Sequence, residues 1–414
     1  MTESLDPTPD FLSEPTFLPR VTQHDGRAIE EALAATLFDQ GVRLRAAVIE
    51  ASYAAADPPL IKRLREDGVT RLVEPQTQRF TTRRFLEVEQ LASLPYAPDE
   101  PIAAETFDAD AAKSIAVGAL RFEQEQRCEY YLSPAVPYYD RDFQKWVAHN
   151  DRLLEEACSA NGGAEIDRRP LIAQVFPGRS ALKQPEFVIN RLLDYPIVGA
   201  YVQPLLFDPV RDSPEKLRLY VEFLLAIAAE GIPVIASRIG AFGLVLAALG
   251  INAFDSGLAQ AEASNLAQLN RPLTERERRR EGKGGGPDKR IYFEILKTTM
   301  KGTHATVMLD RAGLRSRFVC NHNCCQYRGF EDLAARRRQH FLCSRDAEVA
   351  DLRRRPSGEL RLDLVREQLR DAQETGRVVR RALMDMGATA PRFEHLDRWM
   401  SLLASDQLLS GVAH

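Results

Sequence analysis

Thiols and imidazoles crowd one short stretch of the chain: Cys320, His322, Cys324, Cys325, His340 and Cys343. Thiolate sulfur and imidazole nitrogen are the ligands of a tetrahedral zinc ion, which takes two donors from a tight turn and two from a neighbouring element. The knuckle from Cys320 to Cys325 offers the first pair. His340 and Cys343 are spaced to face one point from a helix. The spacing therefore predicts zinc held by Cys320, Cys325, His340 and Cys343, with His322 and Cys324 as alternates. A closed four-ligand site is structural and holds its segment folded. A group of merely buried or exposed thiols is the competing reading. Cys128 and Cys158 stand alone in the sequence.

A second set of reactive side chains recurs where short apolar runs stop: Glu50, Ser52, Glu74, Gln76, Gln174, Gln203, Asp208, Ser237, Arg238 and Asp255. Polar groups in that position matter if the runs are parallel strands, because a barrel of βα units gathers its functional residues at the C-terminal ends of its strands.

The runs do alternate with helical patterns. Strands are predicted at 45–52, 70–74, 129–132, 170–176, 198–206, 233–237 and 251–254, with helices between them. The clearest helix opens at Ser213-Pro214-Glu215, where Ser213 is a good cap and Pro214 loses nothing at the first helical position. Leu217, Tyr220, Val221, Leu224 and Ala228 share one face of it, and Gly231 ends it. Strand–helix–strand at this spacing is the signature of a parallel sheet. A doubly wound sheet that binds a dinucleotide or nucleotide is disfavoured, because neither G-x-G-x-x-G nor G-x-x-x-x-G-K-[ST] occurs. The expected fold is α/β: a (β/α)8 TIM-type barrel, then a small zinc-binding subdomain and C-terminal helices.

The corresponding division is a flexible N-terminal arm at 1–26, the barrel at 27–270, a basic Gly-rich loop at 271–290, the zinc-binding segment at 291–345 and a helical tail at 346–414. A chain of 414 residues is long enough, since such barrels take about 250. In the tail, a charged amphipathic helix is expected over 360–383, followed by a packing stripe of Phe393, Leu396, Trp399 and Leu402.

An apolar content of 44% excludes a disordered chain. The net charge of −4 excludes a global polycation, so any nucleic-acid contact must be local. The two basic stretches, Arg276 to Arg290 and Arg311 to Arg345, are the candidates for contact with tRNA or DNA; a solvated charged surface is the alternative. The longest apolar run, 242–251, is about half of the roughly 20 residues that a membrane span needs, so no membrane partner is expected. The N-terminus has no basic region followed by an apolar one, so a cytoplasmic location is expected. The oligomeric state stays open, a homodimer included.

The order of these features resembles the tRNA-guanine transglycosylase superfamily, whose (β/α)8 barrel is followed by a zinc subdomain and a C-terminal helix. The likeness rests on Gly250-Ile251-Asn252-Ala253-Phe254-Asp255, in the place of that family's G-V-D-x-F-D-type strand, and on Cys320-x-His322-x2-Cys325 with the later His340. It implies a pentosyltransferase that exchanges a base in tRNA or DNA through a covalent glycosyl-carboxylate. Asp255 would be the nucleophile and Glu74 the acid/base. Gln174, Gln203 and Arg238 would bind substrate. The family's Gly-Gly-Leu-x-x-Gly-Glu strand is replaced by Tyr201-Val202-Gln203-Pro204-Leu205, and its Asp-Ser-Gly-Gly-Phe-Gln motif has no match. Two other readings therefore stand beside it: a non-catalytic nucleic-acid-binding or partner-binding paralogue, and an unrelated TIM-barrel enzyme on a small molecule.

Overall fold

The computed structural model describes residues 9–22, 25–34, 42–258, 263–266, 290–310, 318, 330–387 and 391–405. Eight parallel strands form one sheet: β1 (Thr16–Val21), β2 (Ala46–Glu50), β3 (Thr70–Glu74), β4 (Tyr131–Leu132), β5 (Leu171–Val175), β6 (Ile197–Val202), β7 (Val234–Ala236) and β8 (Ala253–Ser256). Their order is β3-β2-β1-β8-β7-β6-β5-β4. The first and last strands are hydrogen-bonded to each other, so the sheet curls into a nearly closed (β/α) barrel.

The remaining seam, between β3 and β4, has no backbone ladder and is laced by side chains. Arg71, buried on β3, donates to the carbonyl oxygens of Gln126 (2.9 Å) and Arg127 and to the Glu129 carboxylate (2.9 Å). Towards the strand ends, the Thr77 hydroxyl donates to the Ala135 carbonyl (2.8 Å) and accepts from its N–H (3.0 Å).

Alternation along each strand sends every second side chain inward. Leu18, Ala46, Val48, Leu72, Leu132, Ile172, Tyr201, Ile235 and Ala253 fill the barrel, and Phe11 and Leu12 join them in one buried cluster. The outward-facing residues pack beneath the helices in a larger core. Caps place these helices as their sequences require: Ser213 accepts from the Lys216 N–H, and Asp108 from the Ala111 N–H. Gly243 lets the helix Phe242–Ala248 lie directly on β8, since an added Cβ would sit 2.1 Å from the Phe254 ring.

Two boundaries differ from the sequence reading. Half of the expected N-terminal arm is structural: Asp10–Leu12 is a 3-10 turn packed into the barrel interior, and β1 lies between β8 and β2. Pro19 and Arg20 disguise β1, because proline gives no N–H to a ladder and a charge breaks the apolar run. Pro19 is tolerated opposite Ser256, and pairing with β2 starts only at Arg20.

At the other end, the division at 345/346 cuts an unbroken helix, Arg337–Arg353. That helix packs on β1 and against the helices Gly26–Ala34 and Phe242–Ala248, in the place of the barrel's eighth helix. Phe341 meets Phe17, and Arg353 donates to the Pro15 carbonyl (2.7 Å). Before it comes an antiparallel hairpin of β9 (Arg290–Phe293) and β10 (Thr298–Lys301). The helix Gly358–Met384 packs on Phe242–Ala248, and Glu394–Leu403 packs on both Gly358–Met384 and Pro214–Ala229. Leu396, Trp399 and Leu402 are buried there, and the Trp399 indole donates to the Pro209 carbonyl (2.9 Å). No helix among the described residues is long and apolar enough to cross a membrane.

Candidate active site at the barrel mouth

The strand ends carry a compact network of charge. Arg20, two residues beyond the inward-facing Leu18 of β1, is fully buried. One of its terminal nitrogens binds the Glu74 carboxylate from β3 and lies 3.7 Å from Glu50 of β2. The other donates to Asp255 of β8 (3.3 Å), to the Ser237 hydroxyl (3.2 Å) and to the Tyr201 hydroxyl of β6, and Nε faces the second Asp255 oxygen at 3.5 Å. Five neighbouring strands or strand ends thus converge on one guanidinium.

Asp255 is held from several sides. Tyr201 donates its hydroxyl to one carboxylate oxygen, and the Arg238 backbone N–H donates to the other (3.1 Å). Tyr201 and Ser237 also share a hydrogen bond of 2.8 Å. On Glu74, the second oxygen accepts from the Gln78 amide (2.7 Å). Glu50 accepts on one oxygen from both Arg238 (2.9 Å) and Arg79 (3.1 Å). Three cations and three anions are interleaved, so the network is formally neutral.

The electrostatics follow from this packing. Burial alone lowers the Arg20 pKa, but the charges of Asp255 and Glu74 outweigh it and hold the guanidinium well above its ordinary value. Burial opposes ionisation of Glu50, yet Arg79, Arg238 and Arg20 pull its pKa down to about 2. Burial pushes the Tyr201 phenol well up, so it stays protonated as a donor to Asp255. Two non-glycine residues at this rim adopt the left-handed conformation, Gln76 (φ 61°) and Arg238 (φ 57°). Such backbone costs about 1 kcal/mol or more and clusters at functional sites.

Around the charges stand carboxamides with unused capacity. Both side-chain polar atoms of Gln174, the Oε1 atoms of Gln78 and Gln203, and the Nε2 of Gln76 are buried without a hydrogen-bond partner among the described residues. The other ends of three of these amides are fixed: Gln203 Nε2 donates to Ser264 (3.1 Å), Gln78 Nε2 to Glu74 (2.7 Å), and Gln76 Oε1 accepts from the Ser52 N–H (2.9 Å). A buried amide left unpaired costs about 1–3 kcal/mol, and several at one barrel mouth make a surface suited to a polar, neutral ligand.

The structure therefore brings together Glu50, Glu74, Ser237, Arg238 and Asp255, with Gln174 and Gln203 in the same mouth. Asp208 stands apart and organises its own turn, accepting from the N–H groups of Val210 (3.0 Å) and Arg211 (3.2 Å). The sequence reading missed Arg20, Tyr201, Gln78 and Arg79. Strict alternation back from Gln203 would have found Tyr201; Arg20 lay in the unrecognised first strand.

Of the expected zinc ligands, His340 and Cys343 lie one turn apart and buried on Arg337–Arg353. Cys320, His322, Cys324 and Cys325 fall outside the described residues, and among those described no group of three or more His, Cys, Asp or Glu side chains could hold a metal. His340 Nε2 lies 2.8 Å from the Tyr292 carbonyl. A carbonyl only accepts, so Nε2 carries the proton in this contact.

Part of the expected basic surface is turned inward. Arg345 is buried against Glu348 (3.0 Å), Arg338 pairs with Asp25 (2.9 Å) and Arg290 donates to Thr299 (3.0 Å). Arg276 to Arg280 and Arg311 to Arg317 lie outside the described residues.

A scan against models of known protein families finds no match for this chain, and a search of curated proteins finds no relative by sequence. The class the molecule defines is that of a nearly closed eight-stranded parallel (β/α) barrel with a buried carboxylate–arginine network at its C-terminal mouth.

Proposed function

We propose that the protein is a base-exchanging transglycosylase-like enzyme acting on tRNA or DNA, with its chemistry at the barrel mouth. The observation that carries this reading is the convergence of Glu74 and Asp255 on one buried guanidinium, beside buried carboxamides with unpaired ends among the described residues. In this reading a carboxylate oxygen of Asp255 attacks the sugar C1′, and the C1′–N bond breaks with its electron pair going to the departing base. Glu74 would have to be protonated in the reacting complex, giving up its ion pair with Arg20, to supply the proton that base takes up. An incoming base then attacks C1′, expels the Asp255 carboxylate and returns a proton to Glu74. Arg20 favours the step in which Asp255 leaves, because it stabilises the carboxylate released. Gln174 offers a donor and an acceptor, and Gln203 an acceptor, to the edge of a heterocyclic base.

One observation favours the non-catalytic alternative. Both oxygens of Asp255 already accept hydrogen bonds, and the residue is wholly buried. Incubation with tRNA or duplex DNA and a labelled free base separates the two. Wild type is expected to incorporate label and to leave an adduct that survives denaturation, while Asp255→Asn loses both and keeps nucleic-acid binding. Absence of exchange and of adduct with wild type on every nucleic acid tried, with binding intact, favours the paralogue. Absence of binding as well favours a small-molecule barrel enzyme.

The zinc reading accompanies this one. Cys320, Cys325, His340 and Cys343 would hold the ion, with His322 and Cys324 as alternates, and the ion when bound would tie the 320–325 stretch to Arg337–Arg353. One zinc per chain in wild type, lost in Cys320→Ser together with a lower melting temperature, is the expected result. Unchanged melting after thorough metal removal overturns it.

A further inference from the structure

We infer that Arg79 and Arg238 form a phosphate-binding subsite at the rim of the barrel mouth, with Glu50 holding the two guanidiniums in place. Its natural occupant is the phosphate of a nucleotide unit. The inference rests on the proposed function only for the identity of that carrier; the anion site itself stands on the geometry.

Three arginines face a single oxygen of Glu50, with Arg238 at 2.9 Å, Arg79 at 3.1 Å and Arg20 at 3.7 Å. Arg20 already has Glu74 and Asp255 as counter-ions. Arg79 and Arg238 have only Glu50 among the ion pairs of the described residues, so the pair carries a positive excess. The Nε–H groups of both are buried and unpartnered among the described residues. A phosphate is the ligand that takes several N–H groups from two planar forks at once.

Placement supports the same conclusion. Both side chains keep some access to solvent, at 18% and 15% exposure, whereas Arg20 is sealed at 1%. Arg238 follows β7, and the loops after the seventh and eighth strands are where barrels of this type commonly bind phosphate. It holds a left-handed backbone there while its N–H is tied to Asp255. Burial, and then the facing Arg20, also pull the Arg238 pKa below its ordinary value against the opposing charges of Glu50 and Glu74. A phosphate bound to Arg238 is thereby linked through one residue to the carboxylate assigned the attack on the sugar.

The test is calorimetric titration of the full chain with inorganic phosphate, a nucleoside, its 5′-monophosphate and a short oligonucleotide. Saturable phosphate binding is expected, and the monophosphate should bind at least roughly tenfold tighter than the nucleoside, as hydrogen bonds to a charged group provide. Arg79→Gln/Arg238→Gln should remove that difference. If the double variant does not fold, Glu50→Gln decides, because the amide oxygen still accepts from the two guanidiniums while the negative charge that opposes an anion is gone, so phosphate binding should tighten. No phosphate binding in wild type and Glu50→Gln, or a nucleoside as tight as its monophosphate, overturns the inference. Monophosphate preferred over oligonucleotide assigns the site to a free nucleotide; the reverse assigns it to a nucleic acid. Phosphate binding without base exchange refutes the proposed function and leaves the subsite. Exchange with an unchanged KM in the double arginine variant does the opposite.

Discussion

The molecule buries charge in two places, and they are built differently. At the barrel mouth, Arg20, Arg79 and Arg238 interleave with Glu50, Glu74 and Asp255, and several amide groups around them lack partners. Beneath the hairpin, Glu348 takes Lys297 (2.6 Å), Arg345 (3.0 Å) and the Tyr292 hydroxyl (2.9 Å), and Arg345 stacks 4.6 Å from the Tyr292 ring centre and 5.1 Å from that of Phe341. That carboxylate pairs with both cations, and aromatic faces stand against Arg345. That cluster fastens the hairpin to the helix Arg337–Arg353. The lesson is that buried charge alone does not mark a site. What distinguishes the mouth is its position at the strand ends and its group of buried carboxamides with unpaired ends; left-handed backbone does not, since Lys297 of the other cluster has it too (φ 49°).

Breaking each cluster should expose this difference. The largest effect is expected for Arg20→Met, which leaves Glu74 and Asp255 buried without their shared cation. A loss of about 3–5 kcal/mol in denaturant unfolding is the expected cost of one uncompensated buried partner. A change below about 1 kcal/mol at neutral pH would mean that the mouth is not the electrostatic keystone described here.

Glu348→Gln should cost less, about 2–3 kcal/mol, because a side-chain amide still accepts one hydrogen bond and the rings still face Arg345. It should leave ligand binding at the mouth unchanged. A variant that folds and melts normally but loses nucleic-acid or phosphate binding would break the division between a structural and a functional cluster.

Glu50 provides the pH test. Its carboxyl is held at about 2 in the fold against an ordinary value of 4.5. The folded pKa is depressed, so its stabilisation is complete above about pH 4.5 and is lost as the pH falls towards 2. Glu50→Gln should flatten that part of the stability–pH curve by on the order of 2 kcal/mol, discounted for its partial exposure. An unaltered acid limb in Glu50→Gln would sink the claim.

The smallest effect belongs to Tyr201→Phe. The hydroxyl donates to Asp255 and accepts from Arg20, and both partners keep other contacts, so about 1 kcal/mol is expected. A fall in kcat larger than that stability change implies would give Tyr201 a part in positioning Asp255.

Much of the barrel was legible in the sequence. The strand Thr70–Glu74 has the bounds its pattern predicts, β5 and β7 differ from theirs by a residue at each end, and Ser213 caps the helix it should cap. Those segments follow local rules: an apolar run of strand length, then a turn, then a capped amphipathic helix. Two readings failed because the deciding interactions are not local. Residues 16–21 look too polar and proline-bearing for a central strand until β8 and β2 flank them. Residues 337–353 look like the end of one segment and the start of another until they are packed on β1 as the eighth helix.

By itself the sequence determined the parallel βα alternation, and with it the rule that Glu50, Glu74, Gln174, Ser237 and Asp255 end their strands facing one way. Period-two alternation and strand length are enough for that. Only the tertiary structure decided that Arg20 stands among them. It lies 235 residues from Asp255 and 54 from Glu74, and joining the first strand to the last brings all three together. Whether a buried guanidinium is stable depends on those distant carboxylates, and no local pattern encodes where they arrive.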